Sequence, residues 1–275
     1  MTLTLTLRTP PPNRVDGSAL APGRLRGRQA REVAELSLRC GRRPMRLGDL
    51  FDVAGTGDDD LFLIGDLRRV DAIGRDMEGG RIVVNGPCGD HLGARMSAGD
   101  IMVTGDVGAW AGAEMRGGDL TVRGDAGHRL GGAYAGARAG MTGGEIVITG
   151  DAGEEAGAGL RRGLVAIGGT AGPGAGLRML AGTVIALGGI GPEAGIGNRR
   201  GSIVSGAPLR PLPGYAFATR YAPPALRLQL RELRARFLPV DERLLEGTWA
   251  RWSGDAAELN RGEILIFDDE EARSR

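Results

Sequence analysis

Three groups of residues in this chain have side chains and spacing that could do chemistry. Asp106, Asp125 and Asp151 each follow a glycine, at Gly105, Gly124 and Gly150. Carboxylates stacked in register would suit calcium binding or acid/base work on a polysaccharide. Aspartate at that place also favours tight bends, because it caps its own backbone. Turn formation is the preferred reading, since like charges ~5 Å apart in water repel by only about 1 kcal/mol and need no ligand. Arg116, Arg161 and Arg199 form a second group at one position of a repeat, with Arg162 and Arg200 beside two of them. Planar guanidiniums pair carboxylates bidentately. These three arginines, Arg116, Arg161 and Arg199, are therefore candidates for holding an acidic ligand, against the plainer reading of a solvated charged edge. The third group is Cys88, His91 and His128, with Cys40 far upstream. No further Cys or His completes a zinc set, so both histidines read as exposed corner residues and both cysteines as small buried hydrophobes. Glycine-rich strings such as Gly172 to Gly176 mimic a dinucleotide fingerprint, but no helix pattern follows to hold pyrophosphate. The sequence thus assigns no catalytic and no metal-binding residue.

The elements that would position these groups come from one repeat. Glycines recur at Gly80, Gly99, Gly118, Gly144, Gly163, Gly182 and Gly201, a step of 19 residues except for one of 26. The long step carries a seven-residue insert at 133–139, expected to protrude, whose Tyr134 and Arg138 are candidates for partner contact. Two residues after each opening position stand Leu61, Ile82, Ile101, Leu120, Ile146, Val165, Val184 and Ile203. Two further on come Leu63, Val84, Val103, Val122, Ile148, Ile167, Ala186 and Ser205, the alternation of a short strand with one face inward. Gly65, Gly86, Gly105, Gly124, Gly150, Gly169 and Gly188 then mark a corner where a positive φ is expected, and Ala207 breaks that series. Met77, Met96, Met115, Met141, Leu160 and Met179 form a soft column for the interior, from which Asn198 departs.

A repeat of short strands with no helical segment predicts an all-β core: a right-handed parallel β-helix of about 7–8 coils, with small α/β caps at both ends. Residues 1–58 read as an N-terminal cap segment, 59–207 as the β-helix and 208–275 as a C-terminal helical segment and tail. The caps follow from the open backbone edges of such a stack. A short helix is expected around Gln29 to Leu36 and another from Pro224, with Leu226, Leu230, Leu233 and Phe237 on one face and Pro239 as its stop. A second short helix over Asp241 to Glu246, a strand from Glu263 to Phe267 and a disordered acidic tail complete the expectation.

Composition narrows the function classes. Of 275 residues 50 are glycine, without the Gly-X-Y period of collagen, and all 35 basic residues are arginine. A net charge of +1 gives no sign of a nucleic-acid partner. Neither a leader nor a run of ~20 apolar residues is present, which leads to the expectation of a cytoplasmic protein without a membrane partner. A secreted carbohydrate-active β-helix would need such a leader and an aromatic-lined groove, whereas the chain has three Trp, three Tyr and five Phe.

Four stretches resemble a known family: the repeat as in Gly144-Glu-Ile-Val-Ile-Thr-Gly-Asp-Ala-Gly, the insert from Gly131 to Met141, Leu47-Gly-Asp-Leu-Phe-Asp-Val53, and Ser253-Gly-Asp-Ala-Ala-Glu-Leu-Asn-Arg-Gly-Glu263. Together they resemble the C subunit of formylmethanofuran dehydrogenase and of its bacterial relative, the formyltransferase/hydrolase complex. The repeat alone is shared with the C-terminal domain of glutamate synthase; the glutaminase domain that a glutamate synthase reading predicts does not appear in the sequence. The resemblance implies a non-catalytic subunit in a hetero-oligomer with an amidohydrolase-like subunit, a molybdopterin-enzyme-like subunit and a formyltransferase subunit. Methylofuran, tetrahydromethanopterin and zinc would belong to those partners, and the resemblance makes Arg116, Arg161 and Arg199 candidates for an acidic cofactor chain. The bacterial complex moves formyl from formyl-tetrahydromethanopterin to methylofuran and hydrolyses it to formate. A lysine-free, arginine-rich chain fits a GC-rich bacterium better than the archaeal molybdenum or tungsten dehydrogenase, which stands as the alternative.

Overall fold

The computed structural model describes residues 2–268 and is mostly β-sheet with few helices. Eight strands of the repeat, from Asp60–Ile64 to Ser202–Ser205, lie side by side in chain order and pair in parallel. Each residue faces the one at the same place in the next repeat: Leu61 pairs with Ile82, Ile82 with Ile101 and Leu120 with Ile146. A second parallel ladder runs through Leu67, Cys88, Val107, Ala126, Ala152 and Ala171. Every repeat therefore forms two rungs, ~4.8 Å from the next repeat.

Both inward rows are buried, from Leu61 at 1% exposure to Ser205 at 0%. The methionine column is buried with them. Asn198, also fully buried, replaces a methionine by exchanging hydrogen bonds with Gly201, donating from Nδ2 at 2.9 Å and accepting at Oδ1 at 2.8 Å. Both cysteines are buried too, and burial pushes the Cys88 thiol up to about 12.

The corner glycines differ from expectation. Only Gly65 and Gly86 of that series have positive φ. At Gly105 the reason is crowding, because a Cβ there would lie 2.7 Å from the backbone nitrogen of Pro87 on the previous rung. Positive φ belongs instead to the opening glycines, such as Gly99 at 96° and Gly163 at 110°.

Both flanks join the main sheet. Leu3–Leu7 pairs in parallel with Asp60–Ile64, so Leu3 and Leu5 continue the inward rows, and Phe51–Ala54 adds an antiparallel edge. At the other end Gly262–Phe267 pairs in parallel with Ser202–Ser205. Trp249–Gly254 and Ala216–Tyr221 then follow as antiparallel strands, neither of them expected. The repeat thus ends near Ala207 while its sheet continues. Ser37–Cys40 and Arg43–Arg46 make an unexpected hairpin whose charged residues mask any alternation.

The expected helices form at Ala30–Ala34, Pro224–Ala235 and Glu242–Glu246, the last capped by Asp241, whose side chain accepts from the Arg243 amide. Leu226, Leu230 and Leu233 pack on the outward residues Val147, Ala166, Ile185 and Val204, making a second core on the sheet face. The C-terminal segment therefore covers a side of the stack as well as its end. Phe237 does not join that face. The helix stops at Ala235, Phe237 turns left-handed at φ 72° and stands 74% exposed under the Arg123 guanidinium, while Leu238 fills the buried place. Arg236 pins this corner to the sheet through Asp119 and Glu145. The acidic tail expected beyond residue 268 lies outside the described residues. Among the described residues no helix is long and apolar enough to cross a membrane.

Candidate functional site

Beyond the second ladder the repeats bend through left-handed positions: a row of glycines from Gly74 to Gly195 is flanked by two rows that also hold other residues. One row is Ala72, His91, Trp110, Arg129, Glu155, Gly174 and Glu193; the other is Asp76, Arg95, Glu114, Gly159, Arg178 and Gly197. A left-handed residue other than glycine costs roughly 1–2 kcal/mol. Inter-rung hydrogen bonds offset it: His91 donates to the Ala109 carbonyl at 2.8 Å, Trp110 to His128 at 2.8 Å and Arg129 to Glu154 at 2.7 Å. Each row sets its side chains one above another, so a residue meets its counterpart 19 positions away, or 26 where the insert intervenes, as from Arg129 to Glu155.

The first row builds a stack. The His91 and Trp110 rings lie 6.3 Å apart and nearly parallel, and the Arg129 guanidinium sits 4.9 Å from the Trp110 ring. Arg129 is paired with Glu155 at 2.7 Å. Tyr134, from the insert, stacks on Trp110 at 4.9 Å and shares a 2.9 Å hydrogen bond with His91 Nδ1. The Tyr134 amide donates to Glu114 at 3.4 Å. The insert therefore folds back onto two earlier repeats instead of protruding whole, and only residues 135–138 stand exposed. His91 is half-buried, contrary to its reading as an exposed corner, because the insert covers it; His128 is exposed. Burial, helped by Arg75 and Arg14, holds the His91 imidazole below its usual pKa against the opposing Asp90 and Asp71. Burial raises the Tyr134 hydroxyl, opposed by Arg75. In the second row Arg95 grips Asp76 through two hydrogen bonds of 2.7 and 2.9 Å, which lower the Asp76 carboxyl.

The arginines predicted to share an edge do not form a continuous one. Arg116, Thr142, Arg161, Leu180 and Arg199 occupy successive rungs, each of the last four donating its amide to the rung before. Arginines thus alternate with uncharged residues at ~10 Å, two strand spacings. Arg199 is already paired with Glu258 at 2.8 Å. It shares a cavity of about 680 Å³ with Arg138 and Arg178, floored by Leu180 and Ile196 and walled by Asp255 and Glu258. A smaller hollow under the insert, of about 250 Å³, reaches from Arg138 and Arg178 to Tyr134 and Arg129. Of the predicted residues, Tyr134, Arg138 and Arg199 meet along this line, while Arg116 and Arg161 lie outside both cavities. Sequence reasoning missed Arg178, His91 and Trp110. The step of 19 between His91, Trp110 and Arg129 was the signal that could have found the stack.

The aspartates make turns, but across rungs and not within their own. Asp106 Oδ1 accepts from the Asp125 amide at 3.0 Å, Asp125 from Asp151 at 2.8 Å and Asp151 from Thr170 at 2.7 Å. Among the described residues no group of three or more His, Cys, Asp or Glu is arranged to hold a metal ion.

No family model matches the sequence. Over 89 residues the chain is 38% identical to the C subunit of the formyltransferase/hydrolase complex Fhc of Methylorubrum extorquens, a stretch spanning 32% of this chain and 34% of that relative's length. Its fold matches a chain in the crystal structure of the formyltransferase/hydrolase complex (FhcABCD) from Methylorubrum extorquens in complex with methylofuran, with a TM-score of 0.90 and 37% identity. That likeness covers 97% of this chain and 100% of the other. Identity at this level over a whole chain leads to one conclusion: the chain belongs to the family of C subunits of formyltransferase/hydrolase complexes.

Proposed function

We propose that this chain is the structural, non-catalytic subunit of a formyltransferase/hydrolase complex. In that reading residues 59–207 form a right-handed parallel β-helix, 1–58 are its N-terminal cap segment, and 208–275 are a C-terminal helical segment and tail. The partners, an amidohydrolase-like, a molybdopterin-enzyme-like and a formyltransferase subunit, carry the zinc, bind methylofuran and tetrahydromethanopterin, and move formyl on to formate. The observation that carries this proposal is the full-length likeness, at 37% identity, to a chain of a complex that holds methylofuran.

Surface features support a scaffold. The C-terminal helices cover the outward residues of the later repeat strands, while Phe62, Val83 and Met102 on the earlier ones remain half-exposed to a partner. The exposed turn of the insert, with Arg138, offers a second contact. Such a scaffold binds through packed apolar surface and a polar rim.

Native copurification with mass spectrometry tests the reading, followed by formate release measured with and without this chain. A formyltransferase subunit should copurify, and the isolated chain should release no formate. Recovery of a molybdenum or tungsten subunit, or turnover by the chain alone, would overturn it.

A further inference from the structure

We propose that the uncovered half of the outer sheet face seats an amphipathic helix of a partner subunit, with its apolar side chains on Phe62, Val83 and Met102 and a basic one toward Asp60 and Asp100. This rests on the reading of the chain as one subunit of a hetero-oligomer and names the element it receives.

The face divides in two. Outward residues in register run Thr4, Phe62, Val83, Met102, Thr121, Val147, Ala166, Ile185 and Val204. From Val147 onward they are buried beneath the leucines of Pro224–Ala235, whereas the five from Thr4 to Thr121 are only half-buried. The covering helix ends over the strand Asp119–Val122, where Arg236 reaches Asp119 and Glu145 and Phe237 stands 74% exposed beside Arg123. The chain then turns away into Glu242–Glu246. The outward row therefore continues past the point where the chain's own cover stops.

Charge says what fits there. Two residues before the outward row, on the same face, stand Asp60, Arg81, Asp100, Asp119 and Glu145, four carboxylates to one guanidinium. Arg236 neutralises Asp119 and Glu145, while Asp60 and Asp100 make no ion pair among the described residues. On the opposite side Asn85 and Thr104 form a polar rim. An apolar strip between polar rims on an open sheet face marks a protein contact. The chain's own helix shows which kind, since it lays leucines over the outward row and an arginine over the acidic one. The length agrees. Five strands at ~4.8 Å span about 19 Å, which about 13 helical residues cover, against the 12 of Pro224–Ala235. A second copy of this chain would bring another acidic row to the contact, and like charges oppose that pairing.

The test uses the whole complex, purified through a tag on this chain that carries photoreactive benzoylphenylalanine in place of Phe62. Light should join this position to one partner peptide whose apolar residues recur at spacings of three and four, with an arginine or lysine beside them. Adding Val83→Asp should lower the crosslink yield at least about tenfold, because it sets a charge against the apolar side of the helix. Asp100→Arg should lower the yield more at low salt than at high salt. Leu228→Asp, on the exposed side of the covering helix, should leave it unchanged. Melting curves verify that the variants fold, and the crosslink in the parent decides even where one does not. A crosslink to a loop, to a strand or to a second copy of this chain, no crosslink in an assembled complex, or equal yield from a folded Val83→Asp would overturn the proposal and leave the complex standing. A chain that purifies alone would overturn both.

Discussion

Replacing Asn198 with methionine separates two accounts of the interior. By the repeat alone, Asn198→Met restores the column of Met115, Met141 and Met179 and should stabilise the chain by the burial of a thioether, roughly 1.5–3 kcal/mol. The structure predicts the opposite sign. The Gly201 amide has Asn198 Oδ1 as its acceptor, at 2.8 Å, and leaving a buried donor unpaired costs about 1–3 kcal/mol. The Gly201 carbonyl keeps the Glu263 amide at 3.0 Å, so only one group is orphaned. Space is also short: Gly262 comes so near that a Cβ on it would lie 2.6 Å from Asn198 Nδ2, and overpacking of this kind costs about 1–3 kcal/mol. Together these outweigh the burial gain by about 1–2 kcal/mol, a fall in melting temperature of roughly 2–8 °C for a chain of this size. Thermal unfolding followed by circular dichroism reads the sign directly. A variant that melts above the parent would refute the reasoning and show that filling the column is all that position requires.

Three further outcomes are expected. Ile146→Asp, with a fully buried side chain at the centre of the sheet, should destabilise by more than about 4 kcal/mol in urea unfolding, whereas Val83→Asp on the half-exposed outer face should cost under about 1 kcal/mol. Gly105→Ala should lower stability by about 1–3 kcal/mol because its Cβ meets the Pro87 backbone, while Gly23→Ala, in a helix with nothing within 4 Å, should be neutral or stabilising. His91 titrates below its unfolded value, so the unfolded chain binds its proton first; that contribution to stability is complete above about pH 6.5 and is lost as pH falls through the lower folded value. Denaturation midpoints measured across that range should fall more steeply in the parent than in His91→Gln; parallel curves would show that burial of His91 is not coupled to folding.

The parts legible in the sequence were those repeated locally. The inward rows, the methionine column and the helices at Gln29, Pro224 and Asp241 each announce themselves within a few residues, by alternation or by a capping side chain. Ala216–Tyr221 carried no such signal, because every residue of that strand is at the surface. Phe237 had the spacing of the helix face and lost it to a left-handed turn two residues past the helix end.

Periodicity by itself determined that like residues stack, because a period of 19 with an aliphatic alternation buries one face only when its copies align. Partnerships between different residues were decided in three dimensions. A seven-residue insert brings Tyr134 back to His91 across 43 positions, and it places Arg138 along the same hollow as Arg178. Spacing cannot foretell such pairs, since their energy comes from packing between segments whose separation along the chain has no fixed relation to their distance in space.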